Sequence, residues 1–155
     1  MAISIRPATP ADRAFVEGLA ARLVDGFEVP SHRTKPELIE GDRRALEAWF
    51  SNPGKPDEAL FVAELDGVPA GCAYLVTLVD YFNERPHAHL SVLAVAKAAE
   101  GHGVGTALLD ESAAWARQRG SDRLTLSALV TNRRARSLYE HKGFQGEYIR
   151  YVLSL

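Results

Sequence analysis

Apolar and polar positions change their spacing several times along the chain, and each change marks an element. Ile3 and Ile5 alternate with polar neighbours, the two-residue period of a short strand. Thr9-Pro10-Ala11-Asp12 then opens a helix, because Thr9 can cap, Asp12 can reciprocate and Pro10 suits the first turn. Phe15, Leu19 and Leu23 recur four apart, so one face of this helix packs inward as far as Gly26. Thr34-Lys35-Pro36-Glu37 repeats the start signal, with Leu38, Ala45, Leu46 and Trp49 as the buried stripe and Ser51-Asn52-Pro53-Gly54 as the stop. Leu60 to Leu65 and Val68 to Val79 flank Asp66-Gly67, whose residues tolerate positive φ, and this predicts an antiparallel hairpin.

After the loop Tyr81-Phe82-Asn83-Glu84-Arg85-Pro86 the order of elements changes. His89 to Ala96 reads as a strand that runs through a short polar turn into Gly101, Gly103 and Gly105, and Gly103 to Arg119 reads as a helix stopped by Gly120. Arg123 to Leu129 predicts a strand, Asn132 to Lys142 a helix closed by Gly143, and Glu147 to Leu153 a last strand. Hairpin strands followed by strand–helix–strand–helix–strand give a mixed sheet covered by helices, of class α/β or α+β. The junction between the two parts is the place for a ligand crevice, since strands that stop pairing leave backbone groups free.

Composition narrows this picture. At 155 residues, 46% apolar and 25% charged, the chain is expected to form one domain, 1–155, with a real core. A net charge of −2 argues against non-specific nucleic-acid binding, which needs a basic surface. The one cysteine, Cys72, lies in an apolar run and reads as a buried structural thiol. His87 and His89 lack a third metal ligand, so no metal site is expected. No run approaches the roughly 20 apolar residues of a membrane span, and MAISIRPATP lacks a signal-peptide pattern. A cytoplasmic protein without membrane or nucleic-acid partners is therefore the expectation.

The glycine loop carries the candidate chemistry. Amides at a helix start, with the positive end of its dipole, suit a phosphate, although glycine there also serves a plain strand-to-helix connection. A dinucleotide fingerprint would need a third glycine at Thr106, and no Gly-Lys-Ser/Thr follows as a nucleotide P-loop requires. Downstream, Asn132-Arg133-Arg134-Ala135-Arg136-Ser137-Leu138-Tyr139-Glu140-His141-Lys142-Gly143-Phe144 resembles the N-x-x-A-x-x-L-Y-x-x-x-G-F signature of the GNAT superfamily of N-acetyltransferases. The loop resembles that family's acyl-CoA turn, with Gly103 and Gly105 matching, whereas Glu100 stands where the family carries Gln or Arg. A carboxylate there repels a pyrophosphate, so Glu100 is expected to point away.

The resemblance implies a mixed, mostly antiparallel central sheet with helices on both faces, and acetyl-CoA as co-substrate. It implies that the backbone of Leu93, Ala94 and Val95 pairs with the pantetheine arm, with Val95 presenting an N–H to the acetyl oxygen. It further implies that the amides of Gly101, His102, Gly103, Val104, Gly105 and Thr106 hold the pyrophosphate, that Asn132 hydrogen-bonds the arm, and that Tyr139 is the general acid. Ala135, Leu138 and Tyr139 also have the spacing of a plain buried stripe. The family's basic glutamate is replaced here by Ser91, leaving His89, Glu84 and Asp80 as substitutes, of which His89 is chosen because histidine titrates near neutrality. A solvent-exposed strand-end histidine is the alternative. Arg133, Arg134, Arg136 and Lys142 form a basic cluster that either attracts CoA phosphates or is a solvated helix face.

The expected activity is transfer of an acetyl group from acetyl-CoA to a primary amine of a small molecule or peptide, by direct attack. A non-catalytic acyl-CoA sensor or partner-binding module is the alternative. Acceptor contacts are expected from Phe27 to Lys35 and from Val79 to His87, and the exposed aromatic loop and chain-end strands leave room for a homodimer.

Overall fold

The Asp66-Gly67 turn seeds the sheet. Both residues take positive φ, 51° and 81°, and fold β2 (Ala59–Leu65) back on β3 (Val68–Val79). The computed structural model describes residues 1–155. Its five strands lie in the order β1-β2-β3-β4-β5, where β1 is Ile3–Pro7, β4 is Pro86–Val95 and β5 is Leu124–Leu126. The first three pairings are antiparallel and the last, β4 with β5, is parallel. The parallel pairing requires a crossover, supplied by α3 (Val104–Gln118).

Alternation sorts the strand side chains into two cores. On one face Val62, Cys72, Tyr74 and Val92 pack with Val16 of α1 (Arg13–Gly18) and with Leu46 and Trp49 of α2 (Lys35–Ser51). On the other, Phe61, Ala63, Leu75 and Leu90 pack with Val104, Leu108 and Leu109 of α3, and Leu138 and Tyr139 of α4 (Arg133–His141) close over them. Helices thus cover both faces of a mostly antiparallel sheet, as expected. Gly71 shows how closely α3 approaches: a methyl group there would stand 2.8 Å from the Ala94 carbonyl and 3.1 Å from both Leu108 and Val104.

Thr34 caps α2 through its side chain, which accepts from the Glu37 amide at 3.3 Å. The first helix differs from expectation. It divides into a 3-10 turn at Pro10–Asp12, the short α1, and a second 3-10 stretch at Leu19–Val24. Gly18 sits at the second join and lowers helix propensity there. Asp12 does reciprocate at the start, accepting from the Thr9 amide at 2.8 Å and from two Arg6 nitrogens at 2.8 and 2.9 Å. The Arg6 hydrogen bonds pull its carboxyl down to about 2.

Two features of the last strands position the site. Tyr74 pairs with Val92 but Leu75 pairs with Leu90, so Ser91 is an extra residue, a bulge, in β4. β4 meets β5 only from Ala88 to Leu90, and Ser91 through Val95 have no strand on that side. β5 is also shorter than the run Arg123 to Leu129, and β4 begins three residues before His89. The strand expected at Glu147 to Leu153 does not form: no strand follows α4 and no backbone hydrogen bond outside the regular elements involves residues beyond Phe144. Tyr148 and Val152 would face one side of such a strand and Ile149, Tyr151 and Leu153 the other, so the pattern selects no buried face, and three-residue β5 offers little edge to pair with.

Candidate active site

The gap beside β4 is built from backbone. The Ala96 amide donates to the Ala70 carbonyl at 2.8 Å, which fixes the direction of every second residue in the strand. Leu93 and Val95 therefore turn their N–H and C=O groups into the gap left by β5, and Ala94 turns its own toward β3. The Val95 carbonyl is met there by Arg22 Nε at 3.2 Å.

Beyond Val95 the chain makes a 3-10 turn at Lys97–Ala99 and enters the glycines. Gly101 and Gly103 take φ of 78° and 84°, a conformation that side chains resist. Gly103 is the N-cap of α3, and none of the amides from Gly101 through Thr106 finds a backbone carbonyl in the chain. Six donors at the positive end of a helix make a cradle for a phosphate. Gly105 joins the cradle to the gap: a methyl on it would stand 3.6 Å from Leu138 and 3.7 Å from Val95. One glycine thus brings β4, the start of α3 and α4 to a single point.

Glu100, at the entrance to the loop, is held between two arginines. Its carboxylate accepts from Arg22, and Arg134 Nη1 lies 3.4 Å away. The residue that would repel a phosphate carries its own counter-charges. Arg22 also pairs with Asp25, so it links the end of the first helical segment to both the loop and the β4 edge. Nothing in the sequence marked Arg22, because Val95 and Glu100, the partners that tie it to the site, lie more than seventy residues away.

Asn132 is the N-cap of α4; its side-chain oxygen accepts from the Ala135 amide at 3.2 Å, leaving its NH₂ group as the free donor. Tyr139, on α4, is half-buried against the second core, its ring 5.9 Å from that of Phe144. Burial raises its pKa, so the hydroxyl keeps its proton through the neutral range. Arg133, Arg134 and Arg136 lie on exposed parts of α4, while Lys142 is occupied by Asp110 at 2.7 Å.

The paired half of β4 holds the titratable groups. His89 stands opposite Val76 on β3 and Thr125 on β5, and is half-buried rather than exposed at a strand end. Its Nδ1 lies 2.8 Å from Thr125 Oγ1, and burial, with His87 nearby, lowers its pKa. His87 is buried, 8% exposed, with Nε2 3.0 Å from the same Thr125 oxygen. The other two candidate bases are differently occupied. Asp80 accepts from the amides of Phe82 and Asn83 at 2.8 and 3.0 Å, and those bonds hold its carboxyl low. Glu84 is exposed in the same loop with a φ of 58°. Thr125 is the second residue that sequence reading missed, since only the register of β5 against β4 reveals it.

The chain has relatives among known proteins. The acetyltransferase (GNAT) family matches residues 17–144. A mycothiol acetyltransferase of Beutenbergia cavernae is 49% identical over 53 residues, 34% of this chain and only 18% of that protein. A putative acetyl transferase of Pyrococcus furiosus superposes with a TM-score of 0.76 at 21% identity, covering 99% of this chain and 100% of the other. An aminoglycoside 6'-N-acetyltransferase of Acinetobacter haemolyticus gives 0.69 at 18% identity over 98% of each chain. With the family's signature lying on α4 and its glycine turn at the start of α3, this chain belongs to the GNAT acetyltransferase family.

Proposed function

We propose that the chain transfers an acetyl group from acetyl-CoA to a primary amine, by direct attack with both substrates bound. The observation that carries this reading is the run of unpaired amides from Gly101 to Thr106, continuous through Gly105 with the open edge of β4. The run suits a pyrophosphate, and the edge suits an extended arm that adds to it like a strand. Leu93 and Val95 pair with the arm, Ala94 lines it, and the Asn132 NH₂ group donates to it.

Each step then has a group of suitable chemistry. His89, its pKa lowered, is neutral at pH 7 and accepts the proton of the incoming amine on Nε2. The Val95 N–H donates to the acetyl oxygen as that oxygen gains charge; one such donor is worth about 10²–10³ in rate. Tyr139 gives its proton to the departing sulfur. Cys72 takes no part, since it is fully buried and burial pushes its thiol up to about 12.

The acceptor is a small-molecule or peptide amine, bound between residues 27–35 and the Val79–His87 region. The relatives bearing the names of mycothiol and aminoglycoside enzymes favour the small molecule. Exposed Tyr148, Ile149, Tyr151 and Leu153 support a homodimer, and the free Cys72 thiol accords with a cytoplasmic setting.

Calorimetric titration with acetyl-CoA, followed by thiol release with an aminoglycoside, a polyamine and a peptide amine, tests the reading. Binding with release is expected, and Tyr139→Phe should lower turnover about 10²-fold with binding kept. kcat/KM should rise with pH through the His89 titration and level off above it. Because the His89 pKa is lowered, the plateau should extend below the ordinary imidazole value of about 6.5. Absence of binding would remove the co-substrate assignment. Binding with no release from any amine favours the acyl-CoA sensor.

A further inference from the structure

Proton acceptance at His89 Nε2 leaves the other side of that ring to be explained. Thr125 Oγ1 lies 2.8 Å from His89 Nδ1 and 3.0 Å from His87 Nε2, so one hydroxyl joins two imidazoles. The β4–β5 register sets Thr125 directly beside His89, and His87 shares its strand face two residues earlier. His87 Nδ1 is buried without a protein partner. No hydrogen bond engages His89 Nε2, and it is not among the buried unpartnered atoms, so it is not sealed from solvent.

A hydroxyl has one proton, and in a chain of donors it gives to one neighbour while accepting from the other. Only two neutral arrangements keep both hydrogen bonds that way. In the first, His89 Nδ1–H donates to Thr125, Thr125 donates to His87 Nε2, and His89 Nε2 is bare. In the second, every bond is reversed, His89 carries its proton on Nε2, and it cannot act as a base.

We propose that His87, Thr125 and His89 form a proton relay that selects the first arrangement, and that His87 is where the proton taken from the substrate amine comes to rest. The proposal rests on the reading of His89 as the base. The amine proton bonds to Nε2 of His89; the Nδ1 proton passes to Thr125, and the Thr125 proton passes to Nε2 of His87. No proton is gained or lost along the way, and the positive charge moves from the amine to the His87 ring. His89 is thereby left neutral with its proton on Nε2, and the reverse shift resets it when His87 releases its proton.

His87 is the more deeply buried of the two rings, and what offsets a charge there is the opposite charge of Asp80. The strand partners on β3 are apolar at both positions, Val76 for His89 and Leu78 for His87. The positive charge of a protonated His87 is one of the influences that hold the Asp80 carboxyl low, and Asp80 is shared with Arg123 at 3.5 Å. For His89, the nearby titratable group is His87 itself. From the helical side, Arg22 is committed to Val95, Asp25 and Glu100. Thr125 acts through the two rings as a positioning residue and does not touch substrate.

The test is ¹⁵N–¹H NMR of the histidine rings in the full chain, without ligand, across the range in which imidazoles titrate. Neutral His89 should carry its proton on Nδ1, the minor form of free histidine. Thr125→Val, which keeps shape and removes the hydroxyl, should move the His89 proton to Nε2, while Thr125→Ser should preserve it on Nδ1. In turnover, Thr125→Val should lose about tenfold in kcat/KM and shift the acid limb of the pH profile, and Thr125→Ser should restore both. A wild-type His89 already protonated at Nε2 overturns the relay without need of any variant, and so does a tautomer unchanged in a folded Thr125→Val protein. Unchanged turnover in His89→Gln overturns the base itself, and with it the relay's task, whatever the tautomers show.

Discussion

Leu90 divides β4 into halves of opposite character. From Pro86 to Leu90 the strand is flanked by β3 and β5, and its polar side chains are bonded within the protein, His87 and His89 to Thr125. From Ser91 to Val95 it has β3 alone, and what it offers is main chain. The bulge at Ser91 marks the boundary. The contrast teaches a division of labour: titratable side chains need fixed neighbours to set their proton positions, whereas a ligand that adds as a strand needs an edge with no neighbour. A fully paired β4 would have no edge to offer, and a fully open one would leave the histidines without Thr125.

The sharpest way to break this arrangement is to push β3 from the open half, where no second ladder exists to hold the strand. Gly71→Ala places a methyl 2.8 Å from the Ala94 carbonyl, with Leu108 and Val104 at 3.1 Å leaving little room to yield. The expected loss is about 2–3 kcal/mol of stability, read by denaturant unfolding, with weaker acetyl-CoA binding in the folded protein. An unaffected midpoint would show that the open half does not depend on β3 for its position. The paired half is tested by Ser121→Ala. Ser121 Oγ accepts from the Ala88 amide at 2.9 Å and donates to the Arg123 carbonyl at 2.6 Å, fastening β4 to the turn that leads into β5. About 1 kcal/mol should be lost, with acetyl-CoA affinity unchanged. If affinity falls as well, the two halves are not independent.

The two halves were also unequally legible in the sequence. The open half announced itself locally: an apolar run, glycines at 101, 103 and 105, and a helix signature from Asn132 to Phe144 are all short-range patterns. Strand alternation and the Asp66-Gly67 turn gave the sheet for the same reason, since turn chemistry and period are written in neighbouring residues. Thr125 was out of reach because its role depends on which residue of β5 stands opposite His89, a long-range register that neighbouring residues do not encode. Arg22 was hidden likewise, being one of many arginines until the fold brings it to Val95 and Glu100. The first helix and the tail misled for a different cause. Phe15, Leu19 and Leu23 predict a buried face but not the 3-10 geometry that Gly18 permits, and the tail's apolar residues alternate onto both sides of an extended chain.

Glu100 stands where the open half passes into the phosphate cradle, and changing it yields the smallest effect and the finest test. Arg22 and Arg134 neutralise its carboxylate, so the loop is not held empty by repulsion; the cost falls instead on the arginines, whose charge is spent on Glu100 before any phosphate arrives. Glu100→Gln keeps the size and a hydrogen-bond acceptor for Arg22 while removing the charge. Acetyl-CoA affinity should rise by about threefold to tenfold at low ionic strength, with the gain shrinking as salt screens it. Pantetheine, which lacks the phosphates, should bind both proteins alike. Equal gains for the two ligands would place the effect on the β4 edge rather than in the cradle. Weaker binding of both would mean that the Glu100 charge holds Arg22 on the Val95 carbonyl, and that the open half is ordered by that arginine before a ligand enters.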